Sequence, residues 1–397
     1  MTPPTRTEKD PLGELAVPAD ALYGVQTMRA VQNFPISGLR PLPMFVTAVA
    51  WIKKAAALTH RETGRLDAER AGAIVRAADE VLSGEHREHF VVDVYQAGAG
   101  TSHNMNVNEV LANRANELLG SARGAYAPVH PNDHVNMAQS TNDVIPTAIR
   151  LGALALERDL AAALAGLRDR LLAKGDELDD VMKSGRTHLQ DAMPIRLGQE
   201  FRAYGRTIDR NLRRLEHAAD DLRDLGIGGS AVGTGVNVEP AYPARMVRHL
   251  REITGLELRE GADRIQLMQS MGDAAAFSGA LRTLAVDLSK IASDIRLLAS
   301  GPRTGLDEIV LPAVQPGSSI MPGKVNPSVA EMVNQVCFQG IGADTCIAFA
   351  AELSKRSVKE NTLIRDLVRR EHVLPDAEID QVLDLRRMTE IGVPGEK

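Results

Sequence analysis

The sequence is poor in the residues that mark β-sheet and disulfide-bonded proteins. Aromatic side chains make up only 3% of its 397 residues, whereas strands are enriched in aromatic and β-branched residues. The two cysteines, Cys337 and Cys346, lie nine positions apart on one predicted helix. That spacing places them on opposite faces, so they cannot form a disulfide within the helix. We expect two reduced core thiols in a cytoplasmic protein.

Long hydrophobic runs and an excess of basic charge are also lacking. No apolar segment reaches the length needed to span a membrane, and "MTPPTRTEKDPLGE" at the N-terminus lacks the apolar core of a signal peptide. The formal net charge is −6, so the whole chain does not have the character of a nucleic-acid or membrane-surface binder. The expectation is a cytoplasmic protein with neither nucleic acid nor membrane as partner.

Long amphipathic segments dominate the rest of the chain. Three of them repeat apolar residues at steps of three and four, and a fourth, from Ser328 to about Leu353, is apolar on several sides, which suits a helix buried among others. These patterns predict a mainly all-α fold, an elongated bundle of long helices. The three stripes are Leu156, Leu160, Leu164, Leu167 and Leu171; Phe201, Ile208, Leu212, Leu215 and Leu222; and Leu281, Leu284, Leu288, Ile291, Ile295 and Leu298.

The same patterns suggest a division into domains. We expect an N-terminal domain over residues 1–138, whose first 45 residues are Pro-rich and irregular. A central bundle domain would follow over residues 139–353. Residues 354–397 would form a small helical C-terminal domain.

Four polar stretches precede predicted helices. They are "GAGTSHNMN" (98–106), "QSTNDVIP" (139–146), "GRTHLQDAMP" (185–194) and "GSSIMPGKVNP" (317–327). Each offers hydroxyl, amide or imidazole groups beside unpaired backbone N–H groups and the positive end of a helix dipole, an arrangement that holds anions without a metal. Any one of them is typical of an ordinary helix cap. Together, with His188 and Lys324, they predict a site for a small anion of several charges, with the 317–327 loop as a lid.

Three other kinds of site are excluded by spacing. "GSSIMPGK" has five residues between Gly317 and Gly323, and Val325 stands where a P-loop needs Ser or Thr. The histidines do not cluster with acids or cysteines at zinc-ligand spacing. "GIGGSAVGTGVN" (226–237) is glycine-rich, but no predicted strand precedes it, which argues against a dinucleotide site.

"GSSIMPGKVNP" resembles the signature loop of the aspartase/fumarase superfamily. The likeness continues through "GTSHNMNVNEVLANRANELLG", "HPNDHVNMAQSTND", "GRTHLQDAMPIRLGQEF" and "GSAVGTGVN", from about Arg6 to Glu352. The resemblance implies a nearly all-helical homotetramer built around a shared bundle of long helices, with each active site drawing loops from three subunits. It also implies a reversible elimination on a small dicarboxylate that yields fumarate and needs no cofactor.

The subfamily is indicated by smaller differences. "QAGAGTS", "QSTND" and "YGVQTMRAVQNFPISG" are more similar to aspartate ammonia-lyases, whereas class II fumarases usually carry Ser in place of Thr141. "NMNVNEV" and "HPNDHVN" occur in fumarases as well, so a class II fumarate hydratase is the alternative. One departure from the family pattern follows "AFAAE" (348–352), where several dozen residues are missing before Ser354. An inactive relative that serves as a structural or assembly protein is therefore a third reading.

The resemblance also assigns roles to individual residues. Ser318 would be the general base, and Glu331 would orient His188 across a subunit boundary. No metal ligand is implied. The substrate's reacting carboxylate would be held by Thr101, Ser140, Thr141 and Ser319, its other carboxylate by Lys324 and Asn326, and the departing amine by Asn142, Thr187 and His188.

Overall fold

A computed structural model describes residues 4–321 and 323–353 of the chain, and it is mainly helical, as predicted. The longest helices coincide with the predicted amphipathic segments. The strands are β1 (Thr5–Asp10), β2 (Gly13–Pro18), β3 (Met182–Thr187), β4 (Gln190–Arg196), β5 (Asp224–Leu225) and β6 (Arg259–Glu260). The α-helices are α1 (Val25–Asn33), α2 (Pro43–Glu62), α3 (Ala68–Ser83), α4 (Thr101–Leu118), α5 (Thr141–Glu177), α6 (Leu197–Asp221), α7 (Tyr242–Thr254), α8 (Arg264–Gln269), α9 (Gly272–Leu298) and α10 (Ser328–Leu353).

The described chain divides into two compact units. The first contains the described residues up to Ala155 together with Leu222–Met271, and the second contains Leu156–Asp221 and Gly272–Leu353. The predicted C-terminal domain, 354–397, lies outside the described residues, and the expected interruption between Glu352 and Ser354 stays a prediction. The predicted domain boundaries stay predictions. Within the described part of the chain, no helix is long and apolar enough to cross a membrane.

Residues 4–45 are only partly irregular, which corrects the expectation, because they include a β-hairpin, α1 and the start of α2. β1 and β2 pair antiparallel from Thr5 opposite Pro18 to Asp10 opposite Gly13. The prolines are compatible with this hairpin, since Pro11 lies in the turn and Pro18 ends β2. The Arg6 guanidinium donates to the carbonyls of Pro18, Ala21 and Tyr23, each at 2.8 Å, and so fixes the chain leading into α1.

Helix α4 is polar and yet almost entirely buried in the first unit. Three of its amide side chains, those of Asn106, Asn113 and Asn116, hydrogen-bond the backbone of surrounding segments. Asn116 donates to the Val129 carbonyl at 2.9 Å and accepts from the Val129 N–H at 2.8 Å, and Asn113 donates to the Leu22 carbonyl at 2.8 Å. The carboxylate of Glu109, 1% exposed, accepts from backbone N–H groups at the start of α1, including those of Gly24 and Thr27. The helix therefore contacts its neighbours through hydrogen bonds as well as through apolar packing, since Val107, Val110 and Leu111 are fully buried.

Helix α10 is the reverse case, apolar and substantially exposed. It packs along α9, where Asn334 donates to the hydroxyls of Ser289 and Ser293 at 3.3 and 3.0 Å. Val329, Val336 and Phe338 are 54, 63 and 61% exposed. The expectation of a helix buried among others is thus wrong for the described single chain, because α9 covers only part of its surface.

The cysteine prediction is also corrected in one respect. Both thiols are free, but only Cys337 is buried, whereas Cys346 is exposed. They lie on different sides of α10, as their spacing requires. Burial raises the pKa of the Cys337 thiol.

Candidate active site

Two helix starts carrying predicted substrate-binding residues lie side by side in the first unit. α4 begins at Thr101 and α5 at Thr141. Gly100, with φ of 80°, allows their close approach, because a Cβ added there would lie 3.0 Å from Cγ1 of Ile145 on α5. Asn104 of α4 also donates to the Thr141 hydroxyl across 3.5 Å. The structure therefore brings Thr101 together with Ser140, Thr141 and Asn142.

These helix starts present hydrogen-bond donors suited to an anion. The first-turn N–H groups of a helix have no partner within it and lie at the positive end of its dipole. The Ser140 hydroxyl accepts from the Asn142 N–H at 3.2 Å, which leaves its own hydrogen available to a ligand. Thr101 and Asn142 are exposed, while Ser140 and Thr141 are half-buried.

The amide of Asn142 has a defined orientation. Its Nδ2 donates to the Ala231 carbonyl at 2.9 Å. Oδ1 is therefore directed away from Ala231 and can accept a hydrogen bond from a ligand. An ammonium group, which only donates, matches that acceptor.

Two buried charged residues that sequence reasoning missed support this segment. Lys53, fully buried on α2, donates to Asn136 Oδ1 at 2.8 Å and to Gln139 Oε1 at 2.9 Å. Asp143 is 1% exposed and accepts from the Ser140 N–H at 2.9 Å. Burial lowers the pKa of Lys53 to about 7 and raises that of Asp143 to about 6. For Lys53, the signal available in the sequence was a lysine within the Ala-rich segment "AVAWIKKAAALTH".

The 185–194 stretch is a β-hairpin and not a loop, which corrects the expectation. β3 and β4 pair antiparallel from Met182 opposite Arg196 to Thr187 opposite Gln190. His188 and Leu189 form the turn with φ of 51° and 62°, the backbone that two-residue hairpins favour although neither residue adopts it readily. Thr187 and His188 are exposed at its tip. Strained backbone of this kind is concentrated at functional sites.

A cluster of ion pairs holds this hairpin in the second unit. The ammonium of Lys183 lies 2.6 Å from Glu200 and 3.0 Å from Glu308, and its side chain is only 7% exposed. Arg186, the residue before Thr187, also binds Glu308. Because an isolated two-stranded hairpin is marginally stable in water, these pairs contribute to fixing the strand that carries Thr187 and His188.

The 317–327 loop is closed by its own backbone. The Ser318 N–H donates to the Lys324 carbonyl at 3.1 Å. Gly317 permits this approach, since a Cβ there would meet the Lys324 carbonyl oxygen at 2.0 Å. The Ile320 N–H points to the Ser318 hydroxyl at 3.4 Å.

The positive charge of the loop lies beside its asparagine. Lys324 Nζ donates to Asn326 Oδ1 at 2.9 Å. α10 begins at Ser328, two residues after Asn326, whose side chain accepts from Lys324. Ser319 is exposed, and Glu331 is half-buried in the first turn of α10.

The predicted residues thus fall into three local groups. Thr101 and residues 140–142 are together in the first unit. Ser318, Ser319, Lys324 and Asn326 share a loop of the second unit, and Thr187 with His188 share its hairpin tip. Their union in one site, and the pairing of Glu331 with His188, stay predictions.

Two overlapping clusters of histidine and glutamate do exist among the described residues, contrary to the spacing argument, and the second comprises Glu80, Glu85 and His86. In the first, ligand atoms of His86, Glu88 and His89 lie within 4.8 Å of one another. Their groups already have protein partners, however: His86 Nε2 lies 2.8 Å from Glu80, and His89 Nδ1 accepts from the Leu22 N–H at 3.4 Å. The contacts account for these groups without an ion, and the absence of a metal ligand among the site residues stays a prediction.

A short strand does precede the glycine-rich stretch 226–237, which corrects part of the sequence argument against a dinucleotide site. β5 ends at Leu225 and pairs in parallel with β6. The next helix, α7, begins only at Tyr242. The glycines therefore do not form the tight turn between a strand and a helix that binds a dinucleotide.

The chain is similar to known lyases over most of its length. A family model described as lyase matches residues 13–342. The chain is 48% identical to an aspartate ammonia-lyase of a Bacillus species over 370 residues, covering 93% of this chain and 79% of that one. It is 53% identical to a class II fumarate hydratase of Halobacterium salinarum over 352 residues, covering 88% and 75%. A crystal structure from Brucella melitensis, described as fumarate lyase:delta crystallin bound to cobalt, superposes with a TM-score of 0.85 at 51% identity, covering 88% and 76%.

Proposed function

Since the chain belongs to the aspartase/fumarase superfamily of lyases, we propose that it is an aspartate ammonia-lyase, which eliminates ammonia from L-aspartate to give fumarate. The observation that carries the proposal is the convergence of the α4 and α5 helix starts, which places Thr101, Ser140, Thr141 and Asn142 beside one another. That surface offers donors for a carboxylate and, at Asn142 Oδ1, an acceptor for an ammonium group.

The donors act on the charge that develops during the reaction. Removing the C3 proton of aspartate places a second negative charge on the neighbouring carboxylate. In this scheme the hydroxyls of Thr101, Ser140, Thr141 and Ser319 donate to that enediolate and stabilise it more than the substrate.

Ser318 takes the proton from C3. A serine hydroxyl is a weak base unless its alkoxide is stabilised. The Ile320 N–H already points to Ser318 Oγ, and a charged oxygen makes shorter and stronger hydrogen bonds than a neutral one. Closure of the loop by the Ser318–Lys324 backbone bond holds the serine in place.

The remaining groups bind the two ends of the substrate. An ammonium carries three hydrogens, so Lys324 can bind Asn326 and a carboxylate together. Asn142, Thr187 and His188 contact the departing amine, and Glu331 of another subunit orients His188. Organic cofactors and metals have no part in this scheme.

The proposal also includes self-association of the chain. The exposed apolar surface of α10 supports assembly into a homotetramer whose active sites combine loops of several subunits, because contiguous apolar surface is stabilised when another chain covers it. The substrate is a small dicarboxylate.

Two alternatives have specific support. "NMNVNEV" and "HPNDHVN" are compatible with a class II fumarate hydratase, which would bind malate with the same hydroxyls. The interruption after Glu352 favours an inactive structural relative, whereas the intact Ser318, Lys324, Asn326 and His188 oppose it.

Measurement of fumarate absorbance distinguishes the three candidate functions. The purified chain is assayed with L-aspartate and then with L-malate, beside a Ser318→Ala variant. Aspartate-dependent fumarate that is lost in the variant, with substrate affinity kept within a few-fold, is the expected result. Fumarate formed only from malate would identify the hydratase, and none from either would identify the inactive relative.

A further inference from the structure

Asp143 joins the Ser140–Asn142 segment to a distant part of the chain. One carboxylate oxygen, Oδ1, accepts from the Ser140 N–H at 2.9 Å. The other, Oδ2, accepts from the N–H groups of Gly228 and Ser230, each at 3.1 Å. The side chain is therefore a buried bridge between two segments more than 80 residues apart in sequence.

The distant partner is a compact loop, residues 226–235, here termed the glycine loop. Gly233 and Gly235 both donate backbone N–H bonds to Gly229, at 2.9 and 3.1 Å. Gly228 has φ of 87°, and a Cβ added there would lie 2.7 Å from Cγ of Pro243. Internal hydrogen bonds and close packing make this loop a rigid partner for Asp143.

A second bond runs in the opposite direction between the same segments. Asn142 donates its Nδ2 to the Ala231 carbonyl at 2.9 Å. Two consecutive residues therefore hydrogen-bond the glycine loop, Asp143 as acceptor and Asn142 as donor. On the other side, Lys53 holds Gln139, the residue before Ser140.

We propose that Asp143 is a positioning residue of the candidate site, which fixes the Ser140–Asn142 segment on the glycine loop. It sets the separation between the hydroxyls of Ser140 and Thr141 and the acceptor Oδ1 of Asn142, and does not itself touch the substrate. The catalytic consequence rests on the proposed function, whereas the bridge itself does not.

The chemistry of the bridge requires a carboxylate. Its two oxygens accept from donors on opposite sides. An asparagine has only one oxygen, so its NH₂ group would face an N–H donor either at Ser140 or at the glycine loop. Asp143→Asn therefore breaks the bridge with almost no change in volume.

The control makes the same substitution at a carboxylate with a simpler role. Asp67 caps α3 and accepts from the Arg70 N–H at 2.9 Å. Asparagine is an equally good cap, so Asp67→Asn should leave kcat and KM within twofold of the parent.

For Asp143→Asn we expect kcat for aspartate elimination to fall about a hundredfold and KM to rise about tenfold, because misplacing binding groups by about 1 Å costs that much. A purely structural role would reduce the amount of folded enzyme and leave KM unchanged. Kinetic constants within twofold of the parent would overturn the proposal, as would a lowered kcat at unchanged KM.

Amide hydrogen exchange tests the bridge independently of turnover. In Asp143→Asn, segments 139–143 and 226–235 should lose protection together, while α2 and α3 keep theirs. Unchanged protection of 226–235 would overturn the proposal even in a protein with no lyase activity, in which case the proposed function has failed separately. If Asp143→Asn does not fold, the Gly228→Ala variant is used instead. An alanine is strained at the φ of Gly228, so this substitution should displace the backbone N–H that donates to Asp143. The same joint loss of protection and the same rise in KM are then expected, and their absence decides against the bridge.

Discussion

Helices α4 and α10 invert the usual relation between polarity and burial. α4 buries asparagines, a histidine and a glutamate, among them Asn106, Asn113 and Glu109 at 0, 0 and 1% exposure. α10 leaves Val336 and Phe338 more than 60% exposed. The difference lies in their partners. Asn106, Asn113 and Asn116 of α4 donate to backbone carbonyls, although both ring nitrogens of His103 and the Oδ1 atoms of Asn104 and Asn108 have no hydrogen-bond partner within the described part of the chain. The apolar surface of α10, by contrast, extends beyond the area that α9 covers.

The comparison shows where each helix obtains its stability. Burying a polar group is costly unless it is hydrogen-bonded, so the bonds that α4 makes to the segments around it stabilise the helix. Exposed apolar surface forfeits burial energy until another surface covers it, so in the proposed homotetramer α10 would gain stability from a partner chain. Substitutions on α4 should therefore affect unfolding of the chain, and substitutions on α10 its association.

The largest effect is expected from Glu109→Ala on α4. This carboxylate accepts from Gly24, Gln26 and Thr27 N–H groups and from the Thr27 hydroxyl. Leaving several buried donors unpaired costs about 1–3 kcal/mol each, so the free energy of unfolding should fall by about 4 kcal/mol or more. Urea unfolding measures it, with the exposed Glu69→Ala as control. A loss below about 1 kcal/mol would mean that α4 does not depend on these bonds.

A smaller but more selective effect is expected from Val336→Lys on α10. An ammonium placed in an apolar interface should shift the assembly towards smaller species in sedimentation velocity, while the free energy of unfolding of the separated subunit changes by less than about 0.5 kcal/mol. Leu12→Lys, at an exposed turn, is the control. An unchanged sedimentation profile would show that this face of α10 is not an assembly surface.

The third effect depends on pH and concerns Lys53. Burial lowers its pKa from 10.5 to about 7 in the folded chain. The unfolded chain therefore binds more protons between pH 7 and 10, and the free energy of unfolding should rise with pH in that window, by at most about 1.4 kcal/mol per pH unit. Asp143, with a pKa of about 6, titrates below this pH window.

Lys53→Met should remove this rise, and the neighbouring Lys54→Met, whose side chain is partly exposed, should retain it. Urea unfolding at a series of pH values provides the comparison. Parallel pH profiles for the two variants would show that Lys53 is not the group responsible.

The long helices were predictable because their cause is local. Leucines at steps of three and four, such as Leu284 and Leu288, define a stripe whatever lies opposite, and α5, α6, α9 and α10 were all expected. The hairpin of β3 and β4 was missed, because Gly185 and Pro194 interrupt alternation and its turn consists of His188 and Leu189, which are not usual turn residues. Ion pairs to Glu308, more than 100 positions away in the chain, supply what the local sequence does not.

The candidate site also contains residues that the sequence indicated and residues that it did not. Its hydroxyls and amides were found by resemblance and by their position before helices. Lys53 and Asp143 were not, because the meaning of a buried charge depends on partners that only the fold supplies: Gln139 for Lys53, and Gly228 for Asp143. Hydropathy predicted that α10 is apolar, but not which part of its surface α9 covers within the chain.

The glycine loop has a consequence for searches of sequence data. Its composition resembles that of phosphate-binding loops, yet Gly228 lies against Pro243, and a Cβ at Gly233 would lie 2.5 Å from the Ile265 Cα. Here glycine is required by neighbours inside the protein, not by a nucleotide. A pattern that counts glycines will retrieve this segment beside nucleotide-binding loops, and a random library across it should return glycine at both positions without any selection for phosphate.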